Sequence, residues 1–429
     1  MNRRYFLLFF TLYFLSLIVD GETFLFADLT QDVLQQDLLN KVNVVDSLED
    51  FRLIPGYVCP KGHSYEIKGE YKKCSICGQE LRAIIHEEKF ARRESISERV
   101  ALEEKRFQIG VSGTAIVQQI LSGDENRAFS PEGSLDLLFI YRPFDLTTLF
   151  LDMEAIGGNG PDEFVGSLSG LNDDAGAFQD NNGVDRLSVR EVWFEVKLFE
   201  KQVSLVAGKI DLTNYFDGNA VANDETTQFI TSAFVNNLVL EVPVNGPGAV
   251  SIYEMENGLH FRLGLQSSDT DDMGLGIEDS FYGIGEVGLH SGILFGLEGN
   301  YRLWFKINGG RDDNKGIGVS LDQQLSGNLF AFARYGINEK SGADIKYAWS
   351  TGLELHQPFP QRVKDSAAFA FGHSKAVDGD EEHATEIYYR FVLNDHVAIT
   401  PLFQAVFDRF GLDDNDVVAL FGVRTQIEF

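Results

Sequence analysis

The chain has 429 residues with 42 glycines, 35 phenylalanines and 65 acidic against 36 basic side chains, a formal charge of -29. A chain this acidic repels nucleic-acid phosphates, which excludes that class of partner. Ten prolines and four methionines beside so many glycines and aromatics favour strands and turns over helices.

In chain order, Arg3 and Arg4 precede an unbroken apolar run from Tyr5 to Val19. That run is shorter than the roughly 20 residues of a comfortable membrane helix. It predicts a secretory signal peptide over residues 1–27, cut after Gly21 or Ala27, with an uncleaved anchor as the alternative. No later apolar stretch reaches about 18 residues, so no helical span is expected beyond it. Leu34, Leu38, Leu39, Val42 and Val45 recur at helical spacing and predict a helical segment over 28–50.

Residues 51–86 hold the three cysteines, Cys59, Cys74 and Cys77. With His63 they read C-x3-H, ten residues, then C-x2-C. Two close pairs on opposed turns can gather four tetrahedral ligands around a structural zinc ion. The segment resembles zinc-ribbon and heavy-metal-binding modules, with His63 standing where the usual first knuckle has a cysteine one place earlier. The alternative is a Cys74–Cys77 disulfide with Cys59 free, which an oxidising compartment permits. Residues 87–106, EEKFARRESISERVALEEKR, predict a charged helical linker, or else a short oligomer contact.

From Phe107 the period becomes two. Phe261, Leu263 and Leu265 alternate with His260, Arg262 and Gln266; Tyr301, Leu303, Phe305 and Ile307 alternate with Arg302, Trp304, Lys306 and Asn308. Ile387, Tyr389 and Phe391 alternate with Glu386, Tyr388 and Arg390, and Trp349, Leu353 and Leu355 with Ser350, Glu354 and His356. Acidic, glycine-rich inserts such as GGNGPDEFVGSLSGLNDDAGAFQDNNG separate such stretches and read as long external loops. Charged polar faces suit a watery lumen, and aromatics near strand ends suit an interfacial girdle. Only a closed barrel satisfies strand backbones in a bilayer. The expected fold class is therefore all-β, a transmembrane antiparallel β-barrel over 107–429 preceded by the metal-ribbon and helical segments. The ending FGVRTQIEF is an amphipathic closing strand with an aromatic terminus, Phe429, which barrel-assembly machinery would read.

Three stretches carry a family resemblance. Residues 187–216, LSVREVWFEVKLFEKQVSLVAGKIDLTNYF, hold Gly208, Lys209, Asp211, Tyr215 and Phe216 in a G-[RK]-x-D-plus-aromatic pattern. GIGVSLDQQLSGNLFAFARYGIN (316–338) and EIYYRFVLNDHVAITPLFQAVFD (386–408) followed by GVRTQIEF complete the set. Their order and spacing resemble the carbohydrate-selective porins of the OprB family. The resemblance implies a barrel of about 16 strands in the cell outer membrane, passing small sugars by diffusion without a cofactor.

Arg262, Arg302, Lys306, Arg390 and Arg424 fall on polar faces, with Glu191, Glu195 and Glu354 opposing them. These eight are the candidate pore-lining residues, biasing which solutes enter, and Trp193 or Trp304 could stack on a sugar ring. The alternative is that the charges only neutralise one another across a wet lumen. The strong acidity keeps a cation-preferring general porin open as a second reading, and a structural or envelope-tethering scaffold as a third. His260, His356, His373, His383 and His396 are scattered and no G-x-S-x-G motif is present, so no enzyme is expected. Membrane lipids, other copies of the chain and a periplasmic setting for the N-terminal module complete the expectations.

Overall fold

In the computed structural model the described residues are 56–58, 82–84, 106–122, 128–158, 160–176, 186–268, 280–292, 296–339, 342–408 and 417–429. The expected signal peptide, the 28–50 helix, the 87–105 part of the linker and all four candidate zinc ligands lie outside them. The chain divides into two units, Met1–Glu88 and Lys89–Phe429. The first contributes two short antiparallel strands, β1 (Gly56–Val58) and β2 (Arg82–Ile84), paired Gly56 to Ile84 and Val58 to Arg82.

The second unit is a barrel. Its strands are β3 (Phe107–Ser122), β4 (Phe129–Tyr141), β5 (Thr147–Gly158), β6 (Arg186–Leu198), β7 (Val203–Ile210), β8 (Gly246–Glu254), β9 (Leu259–Ser267) and β10 (Phe281–His290). The second half continues with β11 (Gly299–Asn308), β12 (Asn314–Gln324), β13 (Leu329–Asn338), β14 (Ile345–His356), β15 (Ser366–Ala376), β16 (Glu381–Val392), β17 (Val397–Phe407) and β18 (Val418–Glu428). Each strand pairs antiparallel with its sequence neighbours, and β18 pairs with β3 to close sixteen strands into one cylinder. The strand series begins at Phe107, where the sequence period changes.

Alternation explains why these residues form a membrane wall. Along β11, Leu303 and Phe305 face outward and are about half exposed, whereas Arg302, Trp304 and Lys306 face inward and are buried. The same phase puts Phe261, Leu263 and Leu265 of β9 outside with His260 and Gln266 inside. A water-soluble protein has the opposite arrangement. Lipid outside and water or protein inside make this one favourable, and closure leaves no strand edge unpaired.

The core of this barrel is its own inward-folded chain. The segment between β5 and β6 holds a 3-10 turn (Pro161–Glu163) and a short helix α1 (Asp173–Gly176). The longer segment 211–245, between β7 and β8, holds 3-10 turns at Leu212–Asn214 and Leu238–Leu240 and a short helix α2 (Ser232–Val235). Val221, Phe229, Ile230 and Phe234 of that segment pack on the wall residues Ile116, Phe332, Tyr388 and Leu402. A second cluster joins Phe216, Val239 and Leu240 to Tyr282, Ile284 and Trp304. The two segments also bond each other, with Asp173 N donating to Ile230 O at 2.9 Å and Ala233 N to Ser169 O at 2.9 Å.

Candidate pore and its lining

Wall carboxylates and cations clamp these segments in place. Glu386 on β16 accepts from the backbone N of Ile230 (3.1 Å) and of Thr231 (2.9 Å) and from the Thr231 hydroxyl (2.7 Å). Glu382 accepts from Leu168 N, Ser169 N and Ser167 Oγ at 2.8–3.0 Å. Arg424 on β18 donates to Gln228 O at 2.8 Å, and Lys306 Nζ to Glu241 at 2.9 Å. Asp217 accepts from Trp304 Nε1 (2.9 Å) and Asn237 N (2.8 Å). Its Oδ2 also lies 2.9 Å from Arg334 Nε, a charge contact rather than an aligned hydrogen bond, with both side chains fully buried.

The space left by the clamped segments is a cavity of about 900 Å³. Asp136, Ile140, Phe150, Asp152 and Glu154 line it from β4 and β5, beside Arg190, Glu191, Trp193 and Glu195 of the adjacent β6. Phe150 and Trp193 are register partners whose rings stack with centroids 4.7 Å apart and planes 17° apart. Beside them in the ladder, Asp152 pairs with Glu191 and Met153 with Val189, so Arg190 is an extra residue in β6. Such a bulge lets two successive side chains share one face. Here it places Arg190 beside Glu191 in the lumen, 3.3 Å from Glu154, 3.6 Å from Asp211 and 3.9 Å from Glu225.

Of the eight residues expected to line a pore, Arg262, Arg302, Glu191 and Glu195 border this cavity. Arg262 donates to Tyr215 O at 2.6 Å and Arg302 pairs with Asp322 at 2.9 Å. Glu191 accepts from Asp211 N (3.1 Å) and Asn214 Nδ2 (2.8 Å), and Glu195 lies 3.7 Å from Lys197. The other four sit elsewhere. Lys306 and Arg424 are clamps under segment 211–245, Arg390 donates to Gln426, and Glu354 lies 3.0 Å from His356 and 3.3 Å from the Tyr388 hydroxyl. Trp304 is fully buried and bonded to Asp217, so only Trp193 of the two tryptophans reaches the cavity. Periodicity finds the inward face of a strand, but it cannot say which inward residues a folded-in segment covers.

Arg190 and the carboxylates of α1 escape a reading by alternation. Arg190 has the outward phase until the bulge is known, and Asp173 and Asp174 belong to an insert that reads as an external loop. Asp174 accepts from Ser134 Oγ at 3.1 Å, and burial together with the nearby Asp136 charge pushes its carboxyl up to about 7. The G-K-x-D motif has a local reason. Gly208 has a φ of +153°, and a Cβ there would meet Val192 O at 2.2 Å and Trp193 Cα at 2.6 Å. Asp211 caps the first turn of the inward segment, accepting from Thr213 N at 2.8 Å.

A closed sixteen-stranded wall, polar within and constricted by an inward segment after its fifth strand, is the architecture of a diffusion channel. The family model for carbohydrate-selective porins, OprB family, matches residues 126–311 and 265–429. The chain belongs to this family. It is thus an outer-membrane porin for small hydrophilic solutes. The high-pH structure of Pseudomonas putida OprB superposes with a TM-score of 0.67 at 17% identity, covering 77% of this porin and 96% of that chain. The low-pH structure of the same protein gives 0.53 at 15% identity, covering 77% and 95%. An uncharacterized protein of Aquifex aeolicus (strain VF5) is 26% identical over 251 residues, 58% of this porin and 72% of that protein. At these identities the two solved structures speak for the fold, and the family match carries the function.

Proposed function

We propose that this porin passes sugars of about monosaccharide size by passive diffusion, with Arg262, Arg302, Glu191 and Glu195 lining the path. The supporting observation is the stacked Phe150–Trp193 pair on the cavity wall, flanked by charged and amide side chains. A pyranose presents a C–H face and a rim of hydroxyls, which an aromatic ring and hydrogen-bonding groups accommodate together. Transport needs no cofactor in this reading.

The flanking features complete the proposal. Residues 1–27 direct export, and the cysteine module, carried in the periplasm, holds a structural zinc through Cys59, His63, Cys74 and Cys77. Barrel-assembly machinery reads Phe429, outer-membrane lipids cover the outward apolar residues, and copies of the chain associate. The central test is swelling of liposomes containing the purified full-length protein. Pentoses and hexoses should enter readily, and trisaccharides much more slowly. Liposomes that admit no sugar would overturn the reading.

A further inference from the structure

The cavity lining is richer in carboxyl than in basic side chains. Twelve carboxyl-bearing and five basic side chains line it among the described residues. Its bulge cation, Arg190, contacts Glu154, Asp211 and Glu225. Asp152 projects from β5 into the same cavity and is only 6% exposed, yet its Oδ1 has no hydrogen-bond partner. A buried carboxyl oxygen without a donor is unfavourable, and Arg190, whose charge also acts on Asp152, is shared with Glu154, Asp211 and Glu225. Glu191, the register partner of Asp152, is also a carboxyl group and already accepts from Asp211 N and Asn214 Nδ2.

The type of cation follows from geometry. Among the described residues no three His, Cys, Asp or Glu side chains converge as a metal-holding set. Calcium takes six to eight oxygen ligands at close range, whereas an ammonium group needs only one or two acceptors. Phe150 and Asp152 are two residues apart on the same face of β5, a separation of about 7 Å along the strand. That is close to the width of one pyranose ring. A sugar lying on the Phe150–Trp193 stack would bring a ring substituent to Asp152.

We propose that the cavity holds a subsite for a protonated amino sugar, its ring on the Phe150–Trp193 stack and its ammonium on the Asp152 carboxylate. This deepens the sugar-porin reading and rests on it. Those surrounding carboxyls that are ionised raise the local concentration of such a cation and slow the entry of acidic sugars.

The test measures flux of labelled glucosamine, glucose, N-acetylglucosamine and glucuronate into proteoliposomes of the full-length protein, at about pH 7 and low salt. Glucose and N-acetylglucosamine bracket glucosamine in size without its charge. Glucosamine should enter about fivefold faster than either, glucuronate slowest, and about 1 M salt should bring glucosamine close to the neutral sugars. Asp152→Asn should sharply reduce the glucosamine preference. Should that variant fail to assemble, the salt dependence of the wild-type ratio decides. Equal flux of glucosamine and the neutral sugars at low salt would overturn the subsite while leaving a sugar porin standing. Failure of every sugar to enter would remove both.

Discussion

Buried charge in this barrel holds chain in place more than it faces solute. Arg334 and Asp217 are both fully buried, and Asp217 further accepts from Trp304 and Asn237. Removing one partner of such a pair leaves the other uncompensated, a loss of about 3–5 kcal/mol. Arg334→Met should therefore loosen segment 211–245, giving larger and noisier single-channel conductance and faster proteolysis of that segment. Unchanged conductance would show that the pair is not a clamp. Asp174 and Asp162 carry a pH dependence. Burial raises Asp162 to about 6, against the lowering effect of its backbone bonds to Leu171 and Asn172, and Asp174 to about 7. Carboxyls raised on folding take up protons, so their stabilisation is complete below about pH 4, where the unfolded groups are also protonated. It is lost as pH rises through about 6 and 7. Limited proteolysis of residues 160–176 should be slower at pH 5 than at pH 8, and Asp174→Asn should flatten the difference.

At the scale of the strand, the final element does the closing. Phe429 N donates to Val111 O at 2.8 Å and Val111 N to Phe429 O at 3.0 Å, extending the β18–β3 ladder to the last residue. The Phe429 ring stacks on His396 at 5.0 Å and is otherwise 70% exposed, so little of the folded barrel depends on its side chain. A charge there should act chiefly on assembly. Phe429→Asp is expected to lower the amount of heat-modifiable barrel in the outer membrane severalfold, with whatever barrel does form unfolding normally. Wild-type amounts would remove the assembly role proposed for this residue. The bulge in β6 works differently. It sits inside the wall and turns a cation into the lumen, so its effect is on the pore and not on closure.

For the whole molecule, barrel closure uses only strands from Phe107 onward. The two-stranded pairing of β1 and β2 brackets the stretch that contains the cysteines and belongs to the other unit. Zinc binding would order that short segment through its own ligands. Cys74→Ser is therefore expected to abolish zinc in the purified protein while leaving the amount of barrel and the sugar flux nearly unchanged. A metal-free wild-type protein with a Cys74–Cys77 disulfide would end the zinc reading alone.

How much of this was legible in advance follows from the range of the interactions involved. A strand in a barrel wall meets lipid on one side and lumen on the other, so alternation in each segment marks wall and face locally. Phe261, Leu263 and Leu265 against His260 and Gln266 show it, as does the change of period at Phe107. Local patterning therefore accounts for the barrel, its closing strand and, through ordered motifs, its family. Tertiary structure decided what each inward charge does. Lys306 and Arg424 look like pore cations until segment 211–245 is seen to fold over them, and Arg190 looks outward until an extra residue in the β5–β6 register turns it inward. Those outcomes depend on contacts between residues more than 30 positions apart, and no local pattern records them.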